Sequence, residues 1–313
     1  MMNSYAPEVL VVAGQEEARR RLAEVVAAAG ALPITMANVG ELPSGLLPQG
    51  LIVAMVVEGE EGQLDTLAAR LETRAQLVAI LSPVDLKRMA RALALDKCNH
   101  VLADDAQGMT WLAAAVRKFA SGELFGIEKY VPAGTEIMLT RLRDYQGRTR
   151  AIDEVVKYAE EQGVRSRIRT QIGQVCEELL MNALYDAPVD EHGNLLFGDV
   201  ELKERLARMS PRPVSIRHAA TETHFVVCVR DRFGRLDKKT ILRYLEKCLH
   251  SASQIDRKTH GAGLGLYIVM NLANQLIVSV APGMTTEVVC AFERKGSRPG
   301  LQGFSMFVHP GEV

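Results

Sequence analysis

In Ile172-Gly-Gln-Val-Cys-Glu-Glu-Leu-Leu-Met-Asn-Ala-Leu-Tyr-Asp186 the apolar residues Ile172, Val175, Cys176, Leu179, Leu180, Ala183 and Leu184 recur at three- and four-residue steps. That spacing makes one buried helix face. Ser166 upstream is a suitable N-cap, and Pro188 restricts Ala187 and ends the run. On such a helix Glu178 and Asn182 lie one turn apart on the less apolar side, and Asp186 extends the stripe. A carboxylate and a carboxamide at this step offer a base for a water or hydroxyl and an oxygen ligand for a hard cation such as Mg²⁺. A solvated helix edge would use the same residues.

Downstream, Pro213 to Arg217 and His224 to Arg230 are rich in strand formers and flank a polar Ala-Ala-Thr-Glu-Thr turn, so they read as a hairpin. Asp231, in Asp231-Arg-Phe-Gly234, stands at its exit. An ionised carboxylate in an apolar pocket can accept from the exocyclic amine of adenine, where guanine presents a carbonyl instead. The preference should be about tenfold or more, since a hydrogen bond to a charged group contributes roughly 1.5–3 kcal/mol. The alternative for Asp231 is a turn cap, with Gly234 closing the turn.

A third segment, Gly261-Ala-Gly263-Leu-Gly265-Leu266, follows the polar run Ser251 to His260 and opens an apolar helix through Ile268, Val269, Leu272 and Leu276. Glycines at a helix N-terminus let backbone amides approach phosphate oxygens, and the helix dipole favours the negative charge. A close-packed glycine turn is the alternative. The spacing is neither a dinucleotide fingerprint nor a P-loop.

Together these segments resemble the GHKL ATP-binding domain shared by gyrase and histidine kinases. Glu178 and Asn182 match its N box, Asp231 and Gly234 its G1 box, and Gly261, Gly263, Gly265 and Leu266 its G2 box. Gly283-Met-Thr285-Thr286 matches the last box, with Thr286 as the threonine. The resemblance covers residues 135 to 295 and implies an α/β sandwich with helices on one face of a mixed sheet. It implies ATP and Mg²⁺ as ligands beneath a lid at residues 237 to 260. Glu178 would be the catalytic base and Asn182 the metal ligand, with Asp186 beside them. Lys258 or Arg257 would reach the γ-phosphate, unless each is a solvated loop charge.

His100 is the only histidine before residue 192 and lies in a different pattern from a phosphoacceptor hairpin, so an autophosphorylating histidine kinase is disfavoured. Thr135 to Arg143 reads as a strand, and Arg150 to Gln162 reads as an amphipathic helix leading into the N-box helix. This layout looks like the anti-sigma-factor and serine-kinase branch. Members bind a sigma factor or an antagonist protein and phosphorylate the antagonist; homodimerisation follows by the same analogy. An acidic insert from Asp190 to Pro211 departs from the pattern.

Ahead of this, Val9 to Ala13, Pro33 to Met36, Leu51 to Val57, Leu77 to Leu81 and His100 to Ala103 are apolar runs that alternate with helix-like stretches. They argue a doubly wound, parallel five-stranded sheet resembling a response-regulator receiver. The receiver chemistry is missing. Gly14-Gln15 replaces the acidic pair, Met55, Val56 and Val57 end the third run without an aspartate, and Ala103-Asp104 replaces the lysine; only Ser82 matches. That pattern reads as a pseudo-receiver, a docking or dimerisation module. Glu58, Glu60 and Glu61 beyond the third run are the fallback acidic residues of such a site, or else cap the next helix.

The expected organisation is a pseudo-receiver at 1–122, a linker at 123–134 and the ATP-binding domain at 135–313. Phe125 and Tyr130 among the linker glycines predict that it packs on a domain. The segment Phe304 to Val308 is read as an edge strand or a partner contact.

The chain has 313 residues, 48% of them hydrophobic, enough for two cores. A net charge of −1 gives no electrostatic case for nucleic-acid binding. No apolar run approaches the ~20 residues that span a bilayer, and no export signal is read at the N-terminus. Five scattered cysteines fit reduced core thiols in a cytoplasm. The expectation is a cytoplasmic, bacterial signalling protein acting on a protein partner as a serine/threonine kinase, or else an ATP-dependent conformational switch or scaffold.

Overall fold

A computed structural model of the protein describes residues 6–41, 50–57, 60–71, 75–198, 200–251, 265–295 and 300–309. The chain divides into two compact units. Residues up to Leu124, with Gln302–Ser305, form unit 1; residues from Phe125 to Leu301, with those from Met306, form unit 2.

Unit 1 alternates β1 (Glu8–Val12), α1 (Glu16–Ala28), β2 (Leu32–Met36), β3 (Leu51–Val57), α2 (Gly62–Arg70), β4 (Gln76–Ser82), α3 (Leu86–Ala94), β5 (Cys98–Ala103) and α4 (Ala106–Ser121). The strands pair in parallel in the order β2-β1-β3-β4-β5. This is the doubly wound order of flavodoxin-like folds. Near the C-terminus, Gly303, Phe304 and Ser305 pair antiparallel with Leu102, Val101 and His100 of β5. The central strands are near-continuous apolar runs because both faces are buried, as a helix-covered parallel sheet requires. Asp85 and Asp105 cap α3 and α4 by accepting from the backbone N–H of Arg88 and Gly108, each at 2.8 Å.

At the carboxyl ends of β3 and β4, where an open α/β sheet would place a ligand site, the buried Arg88 occupies the rim. Its Nη2 donates to the Val56 carbonyl at 3.3 Å, Nη1 donates to the Pro83 carbonyl, and Nε meets Glu61 Oε1 at 2.8 Å. Glu61 therefore serves Arg88. It stands at the N-cap position of α2 but makes no side-chain cap, contrary to the capping role expected of it. Glu60 accepts from Gln63 Nε2 at 3.2 Å, and Glu58 lies outside the described residues.

Unit 2 contains β6 (Met138–Leu142), α5 (Tyr145–Glu161), α6 (Ser166–Met181), α7 (Leu202–Ala207), β7 (Val214–Ala220), β8 (His224–Asp231), α8 (Lys238–Ser251), α9 (Gly265–Leu272), β9 (Gln275–Ala281) and β10 (Thr285–Glu293). The strand β11 (Gly303–Val308) opens with the three residues paired to β5. The order β9-β10-β8-β7-β6 is antiparallel throughout; among the described residues the parallel pairings lie in unit 1. Helices α5 and α6 pack on these strands, and α9 packs on α6. The first strand begins at Met138 rather than Thr135, and α5 begins at Tyr145, five residues before the expected Arg150. Its start is set by Asp144, whose Oδ1 accepts from the Gly147 N–H at 2.6 Å.

The expected linker divides at Leu124. Residues from Phe125 onward belong to unit 2, where Ile127 is fully buried. All five cysteines are buried, and none is in a disulfide. Among the described residues no helix is long and apolar enough to cross a membrane.

The helix-facing side of β7 buries His218 edge-on to the Tyr158 ring, with centroids 5.0 Å apart. Burial lowers this imidazole from 6.5 to about 4, against the opposing pull of Glu154. Above about pH 6.5 neither folded nor unfolded chain protonates it; between 6.5 and 4 only the unfolded chain does, so stability falls with falling pH. The loss is at most about 1.4 kcal/mol per pH unit, or about 3 kcal/mol over the window. Denaturant melts of unit 2 at pH 7 and 4.5 should show this dependence in the wild type and a shallower one in His218→Phe; equal slopes would refute it.

Candidate functional site

Helix α6 buries Ile172, Val175, Cys176, Leu179 and Leu180, the face read from the sequence. It starts one residue earlier than expected. Arg165 holds the N-cap position without a side-chain cap, and Ser166 is the first helical residue. At its C-terminus the backbone changes to a π-helical turn over Asn182–Asp186, closed by the Ala187 N–H donating to the Asn182 carbonyl at 2.8 Å. Such wide turns recur at functional sites. The turn takes Asp186 out of the straight α-helical stripe drawn through Glu178 and Asn182. Its Oδ1 instead pairs with Arg205 Nη1 of α7 at 3.1 Å, tying the insert to the end of this helix.

The glycine that opens α9 lies directly against the two polar residues of α6. A Cβ added to Gly265 would stand 2.5 Å from Glu178 Oε2 and 3.5 Å from both Nδ2 and Oδ1 of Asn182. A side chain at this position would have to push the Glu178 carboxylate aside. The next residue, Leu266, is buried in the core. Glu178 is half-buried, and burial, then the charges of Glu177 and Asp186, push its carboxyl above the usual range while Arg148 opposes them.

Residue Asp231 ends β8, buried, and the turn 182–186 packs against that strand. Its Oδ1 accepts from the Phe233 N–H at 2.7 Å and the Gly234 N–H at 3.3 Å. Across the ladder it faces Thr286, whose hydroxyl and backbone N–H also bond it. Burial raises its carboxyl, and these hydrogen bonds draw it back down. The turn-cap geometry is thus present, and it fixes the carboxylate at the end of β8. Gly234 adopts φ +65°, and its carbonyl oxygen accepts from the Gly283 N–H at 3.2 Å, which locks the turn onto the β9–β10 connection.

Glu178, Asn182, Gly265, Asp231, Gly234 and Thr286 therefore stand on elements that pack on one another: α6 on α9, β8 and β10. Lys258, Arg257, Gly261 and Gly263 lie outside the described residues. The expected lid is part helix. Residues 238–251 form α8, with Ile241, Leu245 and Cys248 buried, and α8 packs on α9.

One neighbour was missed in the sequence. Arg148 on α5 is buried, pairs with Glu177 and lies over the Tyr145 ring at 4.1 Å, close enough for its charge to act on Glu178. The signal was Asp144, an N-cap aspartate three residues before Gly147, which moves the helix start upstream and brings Arg148 onto it.

No family model and no curated protein sequence matches the chain. Among solved structures it is similar to one of the SiaB–SiaC complex from Pseudomonas aeruginosa, with 14% identity over 50% of this chain and 88% of that one, at a TM-score of 0.36. It is also similar to the signal receiver domain of an HD domain-containing protein from Pseudomonas fluorescens Pf-5, with 18% identity over 38% of this chain and all of that one, at a TM-score of 0.31. At such scores the site stands on its own residues.

Proposed function

We propose that unit 2 binds ATP with Mg²⁺ and acts on a protein partner in cytoplasmic, bacterial signalling as a serine/threonine kinase or an anti-sigma-type regulator. The observation that carries the reading is the seating of the Gly265 backbone against Glu178 and Asn182, while the turn that begins at Asn182 packs on the strand ending in Asp231. A base, an oxygen ligand, a buried carboxylate and a helix N-terminus are the parts phosphoryl transfer from an adenine nucleotide needs.

The fit to Mg²⁺ rests on the donor set. Asn182 offers a carboxamide oxygen beside a glycine backbone, and Mg²⁺ is commonly held by one or two protein oxygens together with substrate phosphates and water. When bound, the ion neutralises phosphate charge. The chain's own residues do the rest. Asp231, held by the Phe233 and Gly234 amides and by Thr286, accepts from the adenine amine. The α9 N-terminus faces the phosphates. Glu178 Oε2 takes the proton of the attacking hydroxyl, and the elevated proton affinity of this carboxyl suits that role.

Asp231→Asn replaces an acceptor-only group by one that can present a donor to the adenine amine. Titration calorimetry should show MgATP binding about tenfold or more weaker, with discrimination against GTP reduced. Unchanged affinity would remove the assignment, and a wild-type protein that ignores MgATP would remove the function.

A second reading is a nucleotide-dependent conformational switch without appreciable turnover. It is favoured by the strands that carry Asp231 and Thr286, because their opposite faces hold a segment leading directly from unit 1.

A further inference from the structure

Strand neighbours point to opposite faces, so Arg230 and Glu287 lie behind the sheet where Asp231 and Thr286 lie in front. Glu287 is fully buried. Its Oε2 accepts from Arg230 Nε at 2.9 Å, its Oε1 accepts from the Gly126 N–H at 2.8 Å, and the Cys228 thiol donates to the same carboxylate. The segment Phe125–Tyr130 is thereby fastened across four strands. The Phe125 ring lies 5.4 Å from the Arg230 guanidinium, Glu128 Oε1 pairs with Arg217 Nη1 of β7 at 2.7 Å, Ile127 is buried, and the Tyr130 and Ser279 hydroxyls are hydrogen-bonded.

We propose that the seating of Phe125–Tyr130 behind the sheet sets the order of the Asp231–Gly234 turn in front of it, so that release of this segment regulates the site. The two faces share backbone: Arg230 and Asp231 are one peptide apart, as are Thr286 and Glu287, and they are cross-strand partners in the reverse order. A carboxylate buried with an arginine is a costly anchor that apolar packing could replace without loss of stability, and such pairs are best attested where they fix register or a switch. The segment continues from α4 after residues 122–124, so a change in unit 1 has a covalent route to this anchor.

The regulatory meaning rests on the nucleotide reading of Asp231, but the mechanical coupling is measurable without nucleotide. Amide hydrogen exchange on the full chain should show Glu287→Gln accelerating exchange about tenfold or more at Gly126, and also at Phe233, Gly234 and Thr286, with amides in the middle of α5 unchanged. Acceleration at Gly126 with Phe233 and Gly234 unmoved would overturn the proposal.

Should Glu287→Gln fail to fold, Gly126→Ala decides. Its φ of +115° strains any side chain, and the added Cβ, 2.5 Å from Glu128 Oε2, displaces the carboxylate that pairs with Arg217; the segment is loosened while Glu287 keeps Arg230, and the same pattern is expected. If exchange is coupled but MgATP does not bind the wild type, the nucleotide reading fails and the coupling stands. If MgATP binds and exchange is uncoupled, the reverse holds.

Discussion

Replacing Glu178 with alanine is expected to lower phosphoryl transfer to the partner by about 10²–10⁴-fold, the usual range for a positioned general base. MgATP affinity should change far less. The carboxylate lies beside the Gly265 backbone, whereas adenine recognition is assigned to Asp231, so the base and the purine anchor stand on different elements. A residue engaged only while the hydroxyl loses its proton contributes to the transition state and little to ground-state binding. The assay is transfer from labelled ATP to the native partner, with calorimetry alongside. Undiminished transfer would end the assignment. Nucleotide-dependent partner binding that survives in the variant, without any transfer in the wild type, would favour the switch reading.

The second large effect is on stability. Gly234→Ala should destabilise unit 2 by about 3–5 kcal/mol, because two costs coincide. The residue sits at φ +65°, and its new Cβ would stand 2.1 Å from the Ala281 carbonyl oxygen, 2.7 Å from the Met284 nitrogen and 2.8 Å from the Gly283 nitrogen. All three are backbone atoms of the β9–β10 turn and cannot rotate away. Gly283 provides the control. It has a φ of +72° but nothing within 4 Å of an added Cβ, so alanine there should cost only the conformational term, about 1–2 kcal/mol. Denaturant midpoints for the two variants should separate accordingly; equal shifts would mean the close approach has been misread.

The parts of the fold legible in the sequence are those set by short-range periodicity. The apolar positions of α6 are buried where the three- and four-residue rhythm put them. The hairpin of β7 and β8 forms around its polar turn, and the parallel runs of unit 1 become strands because fully buried strands have no polar face to disguise them. In the candidate site, the helical spacing places Glu178 and Asn182 one turn apart, and the glycine that opens α9 lies against both.

What escaped reading depends on distant partners. The π turn at Asn182 is a local departure from the α-helical ladder that no spacing rule signals, so the Asp186 stripe was drawn too straight. Glu61 looked like a cap because Arg88, its partner, is 27 residues away. The burial of Glu287 depends on Arg230, 57 residues away, and on the Gly126 N–H, 161 residues earlier in the chain, which no local pattern signals.

The pairing of Gly303, Phe304 and Ser305 with β5 sets an order for biosynthesis. Strands β1 to β5 leave the ribosome early and can fold as a parallel sheet, but the outer side of β5 must wait for residues made just over 200 positions later. Until then a nascent chain carries an open β-edge, the kind of surface that invites wrong pairings and holdase chaperones.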